Sequence, residues 1–125
     1  MEKVIVNTKE APEVTGHYSQ AVLAGDFIFT SGQLGLVPET GKMLEGIEAQ
    51  TKQALANTEN VLKEAGMSRN DIVKVNIFVE NLDDFSVVDA IYAHFFNDHR
   101  PARCSVQAAK LYPGSLIEIE VIGAK

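Results

Sequence analysis

Residues 101–123, PARCSVQAAKLYPGSLIEIEVIG, predict two β-strands joined by a turn. Side chains alternate from about Ala102 to Ala109 and from about Ser115 to Gly123, with the two-residue period of a strand. The segment Tyr112-Pro113-Gly114 separates the two runs and contains both of the residues that most favour turns. This stretch therefore predicts a sheet to which the C-terminal part of the chain contributes two strands.

Four further strands are expected before this pair. Apolar runs bounded by turn residues place them at 4–6, 19–23, 27–31 and 71–79. The second and third are joined through Gly25-Asp26, a dipeptide suited to a tight hairpin turn. In the fourth, alternation places four side chains on the core side: Val73, Val75, Ile77 and Val79.

Two helices are expected between the strands. The first carries an apolar stripe at three- and four-residue steps from Ile47 to Ala65, and Gly66 is placed to end it. The second has a buried stripe from Phe85 to Phe96, with Asn81 or Asp83 as its cap and Arg100-Pro101 at its end. The resulting order predicts an α+β domain, a mixed six-stranded sheet with two helices on one face.

The second face of such a sheet stays uncovered unless another subunit covers it. Four side chains are too apolar to lie in water together: Leu23, Phe29, Phe78 and Ile122. The sequence therefore predicts an oligomer.

Composition limits the class of protein. The 125 residues are 46% hydrophobic, which suits a single domain over residues 1–125 with one core. The net charge is −6 and the 11 Lys and Arg do not cluster, which argues against nucleic-acid binding. Without a secretory signal pattern or an apolar run of membrane length, we expect a soluble, cytoplasmic protein with no membrane partner.

No metal and no cofactor are expected. His94 and His99 fall on different faces of the second predicted helix, and no Asp or Cys completes a ligand set with them or with His17. The pair Gly32 and Gly35 lacks the third glycine and the Lys-Ser/Thr of a phosphate-binding loop.

Cys104 is the single cysteine, which excludes an internal disulfide and fits a reducing compartment. In an extended segment its side chain should leave the opposite face from Arg103, alongside Val106. We therefore favour a small buried hydrophobic residue over a nucleophile at this position.

Two side chains in the C-terminal strands are candidates for binding and catalysis. Arg103 follows a proline that fixes the backbone, so its guanidinium leaves the chain in a set direction and can bind a carboxylate or phosphate. Glu118 should face away from Ile117 and Ile119, where its carboxylate can accept or donate a proton. The alternative is ordinary surface chemistry, an ion pair for Arg103 and solvation for Glu118 and Glu120.

The segment 101–120 resembles the C-terminal signature of the RidA/YjgF family, in which Pro-Ala-Arg precedes an apolar-Glu-Ile core. The segments 16–21 (GHYSQA) and 30–33 (TSGQ) resemble the two N-terminal motifs of that family, in the same order and spacing. The resemblance covers essentially the whole chain.

The resemblance implies a chorismate-mutase-like fold of the YjgF type and a homotrimer with pockets between subunits. It implies hydrolysis of 2-aminoacrylate-type enamines and imines, such as 2-iminobutanoate, to 2-oxo acids and ammonia. Arg103 would bind the substrate carboxylate and Glu118 would position the attacking water. The resemblance also assigns pocket contacts to five further residues, namely Tyr18, Ser31, Gly32, Ser105 and, less clearly, Asp89.

Two positions depart from the family pattern. Asp89 stands where some members have an asparagine, and it would bring a negative charge toward an anionic substrate. Arg100 replaces the aromatic residue usual before Pro-Ala-Arg. The alternative function is a trimeric small-carboxylate-binding protein, regulatory or chaperone-like, with little turnover; such a binder needs Arg103 but has no use for a carboxylate that holds water.

Overall fold

A computed structural model describes residues 1–125 as one mixed sheet with two helices packed on it. The strands are β1 (Lys3–Val6), β2 (Ala21–Ala24), β3 (Phe27–Thr30), β4 (Ile72–Val79), β5 (Ala102–Gln107) and β6 (Ile117–Ala124). Their order across the sheet is β1-β2-β3-β6-β4-β5, and only the β4–β5 pair is parallel. The predicted α+β class and the six strands are confirmed.

The helices α1 (Ile47–Glu64) and α2 (Phe85–Phe96) cover one face of this sheet. Their apolar stripes meet the alternate side chains of β4 and β6 in one core, which includes Leu55, Val61, Val88, Ile77 and Ile119. Gly66, with φ of 73°, follows α1 as expected, because a left-handed residue ends a helix at little cost when it is glycine. Neither helix has the length and apolar content needed to cross a lipid bilayer.

Both ends of α2 differ from the expectation. Asn81 caps a separate 3₁₀ turn, Leu82–Asp84, where its side chain accepts a hydrogen bond from the Asp83 N–H at 2.9 Å. The helix ends at Phe96, several residues before Pro101, because Asn97 adopts a left-handed φ of 54°. Asparagine tolerates that conformation better than most residues, so it ends the helix before the proline does.

The start of β4 corrects the predicted core pattern. Val73 is 45% exposed, whereas Ile72 is buried. The register against β6 shifts between Ile72 and Lys74, so an extra residue bulges out and moves Val73 off the core side. The expectation for Val75, Ile77 and Val79 is confirmed, since all three are buried.

The face away from the helices is apolar and open in the single chain. Phe29 is 45% exposed and pairs with Ile122 of β6, which also points to this side. Phe78, Val106 and the carboxylates of Glu118 and Glu120 share the face through the β6–β4–β5 register. Cys104 lies on this face too, and the expectation that it is buried is wrong, since it is exposed. Leu23 does not belong to it, because it packs against the helix-side core.

Two amides of α1 fix the loops around the end of β3. Gln50 donates to the carbonyls of Leu44 and Gly114 and accepts from the Leu116 N–H. Asn57 donates to the carbonyls of Leu34 and Leu36. Buried amides with satisfied hydrogen bonds fix their partners, so residues 34–44 and 114–116 are held against α1.

Candidate functional site

Arg103 lies at the start of β5 and reaches across α2. Its Nη1 donates to Asp89 Oδ1 at 2.6 Å, and its guanidinium carbon lies 4.8 Å from the centre of the Tyr92 ring and 5.1 Å from that of Phe85. Positions 85, 89 and 92 share one face of a helix, which explains why all three meet the same guanidinium. We call Arg103, Asp89, Tyr92 and Ser105 the arginine half-site.

The arginine half-site keeps hydrogen-bonding capacity for a ligand. Asp89 occupies one nitrogen of a group with five N–H donors, and no other protein acceptor bonds it. The hydroxyls of Tyr92 and Ser105 are buried and have no hydrogen-bond partner. Burial raises the pKa of Tyr92 to about 12 against the opposing effect of Arg103, so its phenol stays neutral at physiological pH.

Glu118 lies on β6, on the open face of the sheet, as the alternation predicted. The backbone of Gln33 pairs with that of Ile119 in both directions, at 2.7 and 3.0 Å, which holds residues 31–33 beside the strand. A Cβ on Gly32 would lie 2.6 Å from the carboxylate carbon of Glu118. Only glycine therefore fits next to this carboxylate in its present position.

The environment of Glu118 favours its protonated form. Burial raises the pKa of Glu118, and the negative charge of Glu120 on the same face raises it further. Glu120 is itself held by a hydrogen bond of 3.2 Å from Asn76 Nδ2. A carboxyl whose pKa is moved toward neutrality suits proton transfer better than an ordinary surface glutamate.

Ser31 and Tyr18 lie on the same side of the molecule as Gly32. The Ser31 hydroxyl donates to the Ser19 carbonyl at 2.6 Å, so only its lone pairs remain for a ligand. Tyr18 is 54% exposed and, like Gly32, lines a surface cavity. We call Glu118, Gly32, Ser31 and Tyr18 the glutamate half-site.

One chain does not bring the two half-sites together. Arg103 pairs with Val75, whose side chain is in the helix-side core, so the guanidinium leaves the helix face while Glu118 leaves the open face. The two residues are also separated by two strand spacings and three residues along the strand, about 14 Å between Cα atoms. Within one chain, a small ligand therefore does not contact both side chains.

Sequence reasoning missed part of the arginine half-site. The apolar pattern places Phe85 and Tyr92 in the core, which the structure confirms, but it does not connect them with Arg103. Their spacing to Asp89 on one helix face was a usable signal, but the contact also required the register of β5 on β4.

Comparisons with known proteins identify the family. A family model described as endoribonuclease L-PSP matches residues 8–125. The chain is 41% identical over 128 residues to the 2-iminobutanoate/2-iminopropanoate deaminase of Salmonella typhimurium, covering 100% of this chain and 99% of that protein. The human protein of the same name is 40% identical over 119 residues, covering 94% of this chain and 87% of that protein.

A solved structure agrees with these sequence matches. The crystal structure of E. coli TdcF with bound serine superimposes with a TM-score of 0.94 at 35% identity, covering 98% of each chain. A match of this extent in both sequence and fold confirms the resemblance found in the motifs. The chain belongs to the RidA/YjgF family, whose members include the named imine deaminases and RidA proteins.

Proposed function

We propose that this protein is a cofactor-independent hydrolase of reactive 2-imino acids, releasing 2-oxo acids and ammonia. The observation that carries the proposal is Glu118, a partly buried carboxylate with a raised pKa that packs directly against Gly32, where no side chain would fit. The names of relatives at about 40% identity supply the substrate class, 2-iminobutanoate, 2-iminopropanoate and the 2-aminoacrylate-type enamines that tautomerise to such imines.

We further propose that the active protein is a homotrimer in which each pocket joins the arginine half-site of one copy to the glutamate half-site of the next. The separation of Arg103 and Glu118 within one chain supports this arrangement. On the open face, Phe29 is exposed and Ile122 is partly exposed, which supports the proposal that another copy of the chain covers this face.

The chemistry follows from the two half-sites. The Arg103 guanidinium binds the substrate carboxylate, which fixes C2 of the imine near Glu118 of the neighbouring copy. Glu118 accepts a proton from water as the water oxygen bonds to C2 and passes it to the nitrogen, which gives a carbinolamine with OH and NH2 on C2. Glu118 then accepts the hydroxyl proton and passes it to the same nitrogen. The C–N bond breaks, ammonia leaves, and the carbonyl of the 2-oxo acid forms.

Asp89 positions the arginine in this scheme. By accepting from Nη1 at 2.6 Å it holds the guanidinium over the Tyr92 ring and leaves the other nitrogens for the substrate. The negative charge that the sequence places near an anionic substrate is therefore already paired with Arg103.

The direct test couples a threonine dehydratase, which releases the imine, to the purified protein. Semicarbazide competes for the imine, so an active deaminase lowers semicarbazone formation and speeds release of the 2-oxo acid. A protein that binds a small acid without turnover would leave both rates unchanged, and that result would overturn the proposal. The serine bound to the TdcF relative is the observation that favours such a binding role.

The raised pKa of Glu118 predicts a pH dependence. Glu118 must be ionised to accept a proton from water, so kcat/KM should fall as the pH drops through its pKa, above the usual glutamate value of about 4.3. Glu120→Gln removes the like charge and should move this acid limb to lower pH. The measurement is the profile of kcat/KM against pH for the wild-type protein and for Glu120→Gln with the same substrate. Because the titration of the substrate is the same in both profiles, a difference between them reports on the protein. A limb that stays in place or moves upward in Glu120→Gln would contradict it.

A further inference from the structure

Asp89 keeps one carboxylate oxygen free beside the Arg103 guanidinium. Its Oδ1 accepts from Arg103 Nη1 at 2.6 Å, whereas its Oδ2 makes no hydrogen bond and no ion pair within the chain. The Asp89 side chain is 52% exposed, against 29% for Arg103, so the carboxylate is open to the surroundings. The arginine half-site therefore presents a negatively charged acceptor directly next to its guanidinium donors.

The arginine half-site has no net charge. Its two ionised members are Arg103 and Asp89, since burial keeps the Tyr92 phenol neutral. Such a pair attracts a lone carboxylate weakly, because the charge of Asp89 offsets that of Arg103 for an approaching anion. A ligand that carries a carboxylate and a neighbouring N–H donor complements both charges.

We propose that Asp89 binds the nitrogen on C2 of the substrate while Arg103 binds the substrate carboxylate. This inference rests on the proposed imine hydrolysis and concerns the same pocket. In a 2-imino acid the nitrogen and the carboxylate are on adjacent carbon atoms, just as the two charged groups are adjacent in the half-site. The Asp89 Oδ2 then accepts a hydrogen bond from the N–H. The ligand class is the carboxylic acids with an N–H donor on C2, which includes 2-imino acids and zwitterionic α-amino acids and excludes 2-oxo acids.

The contact between Asp89 and the nitrogen strengthens during the reaction. The nitrogen receives its second proton from Glu118 as the C–N bond breaks, and it gains positive charge at that point. Asp89 stays ionised and takes no proton, so its charge stabilises the departing nitrogen more than it stabilises the bound imine. The 2-oxo acid that remains has no N–H and meets the neutral pair with its carboxylate alone, which favours its release.

Asp89→Asn tests the inference, because an asparagine oxygen can still accept from Arg103 Nη1 while the negative charge is lost. Calorimetry compares three unreactive ligands that differ only at C2, namely L-2-aminobutanoate, butanoate and 2-oxobutanoate. We expect the wild-type protein to bind aminobutanoate about tenfold more tightly than the other two, the effect of one charge-assisted hydrogen bond. In Asp89→Asn this preference should be lost and 2-oxobutanoate should bind more tightly than it does to wild type. Asp98→Asn, at an exposed carboxylate just after α2 that forms no ion pair, should keep the wild-type preference.

The outcomes separate this inference from the proposed function. Equal binding of the three ligands to wild type, or a preference that survives in Asp89→Asn, would overturn the role of Asp89, and imine hydrolysis in the semicarbazide assay would still stand as evidence for the deaminase. The expected preference in a protein that does not hydrolyse the imine would support the Arg103–Asp89 site and overturn the deaminase. Binding of none of the three would overturn both the inference and the carboxylate-binding role of Arg103.

Discussion

The Glu118→Gln variant is expected to lose about 10²- to 10⁴-fold in kcat for small 2-imino acids, the usual contribution of a positioned general base. Glutamine keeps the shape of the side chain beside Gly32 but cannot take a proton from water. The loss should fall on kcat more than on KM, because substrate binding depends on Arg103 of another copy. Steady-state kinetics in the semicarbazide assay measures both constants.

Glu120→Gln is the matched control for this variant. Glu120 lies on the same face of the same strand and is bonded to Asn76, so the substitution makes the same chemical change two residues away. It should retain most of the activity at neutral pH. A Glu118→Gln protein with near wild-type kcat would remove the proton-transfer role from Glu118.

The Arg103→Ala variant is expected to lose about 10- to 100-fold in kcat/KM, with a marked rise in KM. The guanidinium loses its bonds to the substrate carboxylate, and the loss of even one hydrogen bond to a charged group, worth about 1.5–3 kcal/mol, accounts for a change of this size. Asp89 would then remain as an unpaired negative charge near the anionic substrate, which adds to the loss. Arg103→Lys should restore only part of the affinity, because lysine is a point charge without the planar fork.

Arg100→Ala is the control for this arginine. Arg100 is exposed, lies three residues before Arg103 and forms no ion pair. Its removal should change KM much less than the Arg103 substitution does. Equal effects of the two variants would indicate a general electrostatic attraction and not a specific carboxylate site.

The regular parts of the fold could be predicted from the sequence. In β6 the alternation is unbroken, so the face of Glu118 follows directly from its neighbours Ile117 and Ile119. In β4 the alternation rule gave the wrong face for Val73. The bulge there cannot be recognised from the sequence, because the residues around it are β-branched and suit either face of a strand. The end of α2 was misplaced because asparagine stops a helix less often than glycine or proline does.

The geometry of the candidate site depended on features that a sequence pattern does not contain. The motifs identified Arg103 and Glu118, but their placement on opposite faces follows from the parallel register of β5 on β4. The platform of Phe85 and Tyr92 beneath Arg103 requires the same register.

The most direct test of a pocket shared between copies mixes two impaired proteins, Arg103→Ala and Glu118→Gln. When the variants are unfolded together and refolded, a pocket formed by an Arg103 from one copy and a Glu118 from the next is intact in about a quarter of all cases in a cyclic oligomer. The mixture should therefore recover about a quarter of the wild-type kcat/KM, while each variant refolded alone keeps only its low residual kcat/KM. Activity no higher than the average of the two separate variants would contradict a site built from two copies.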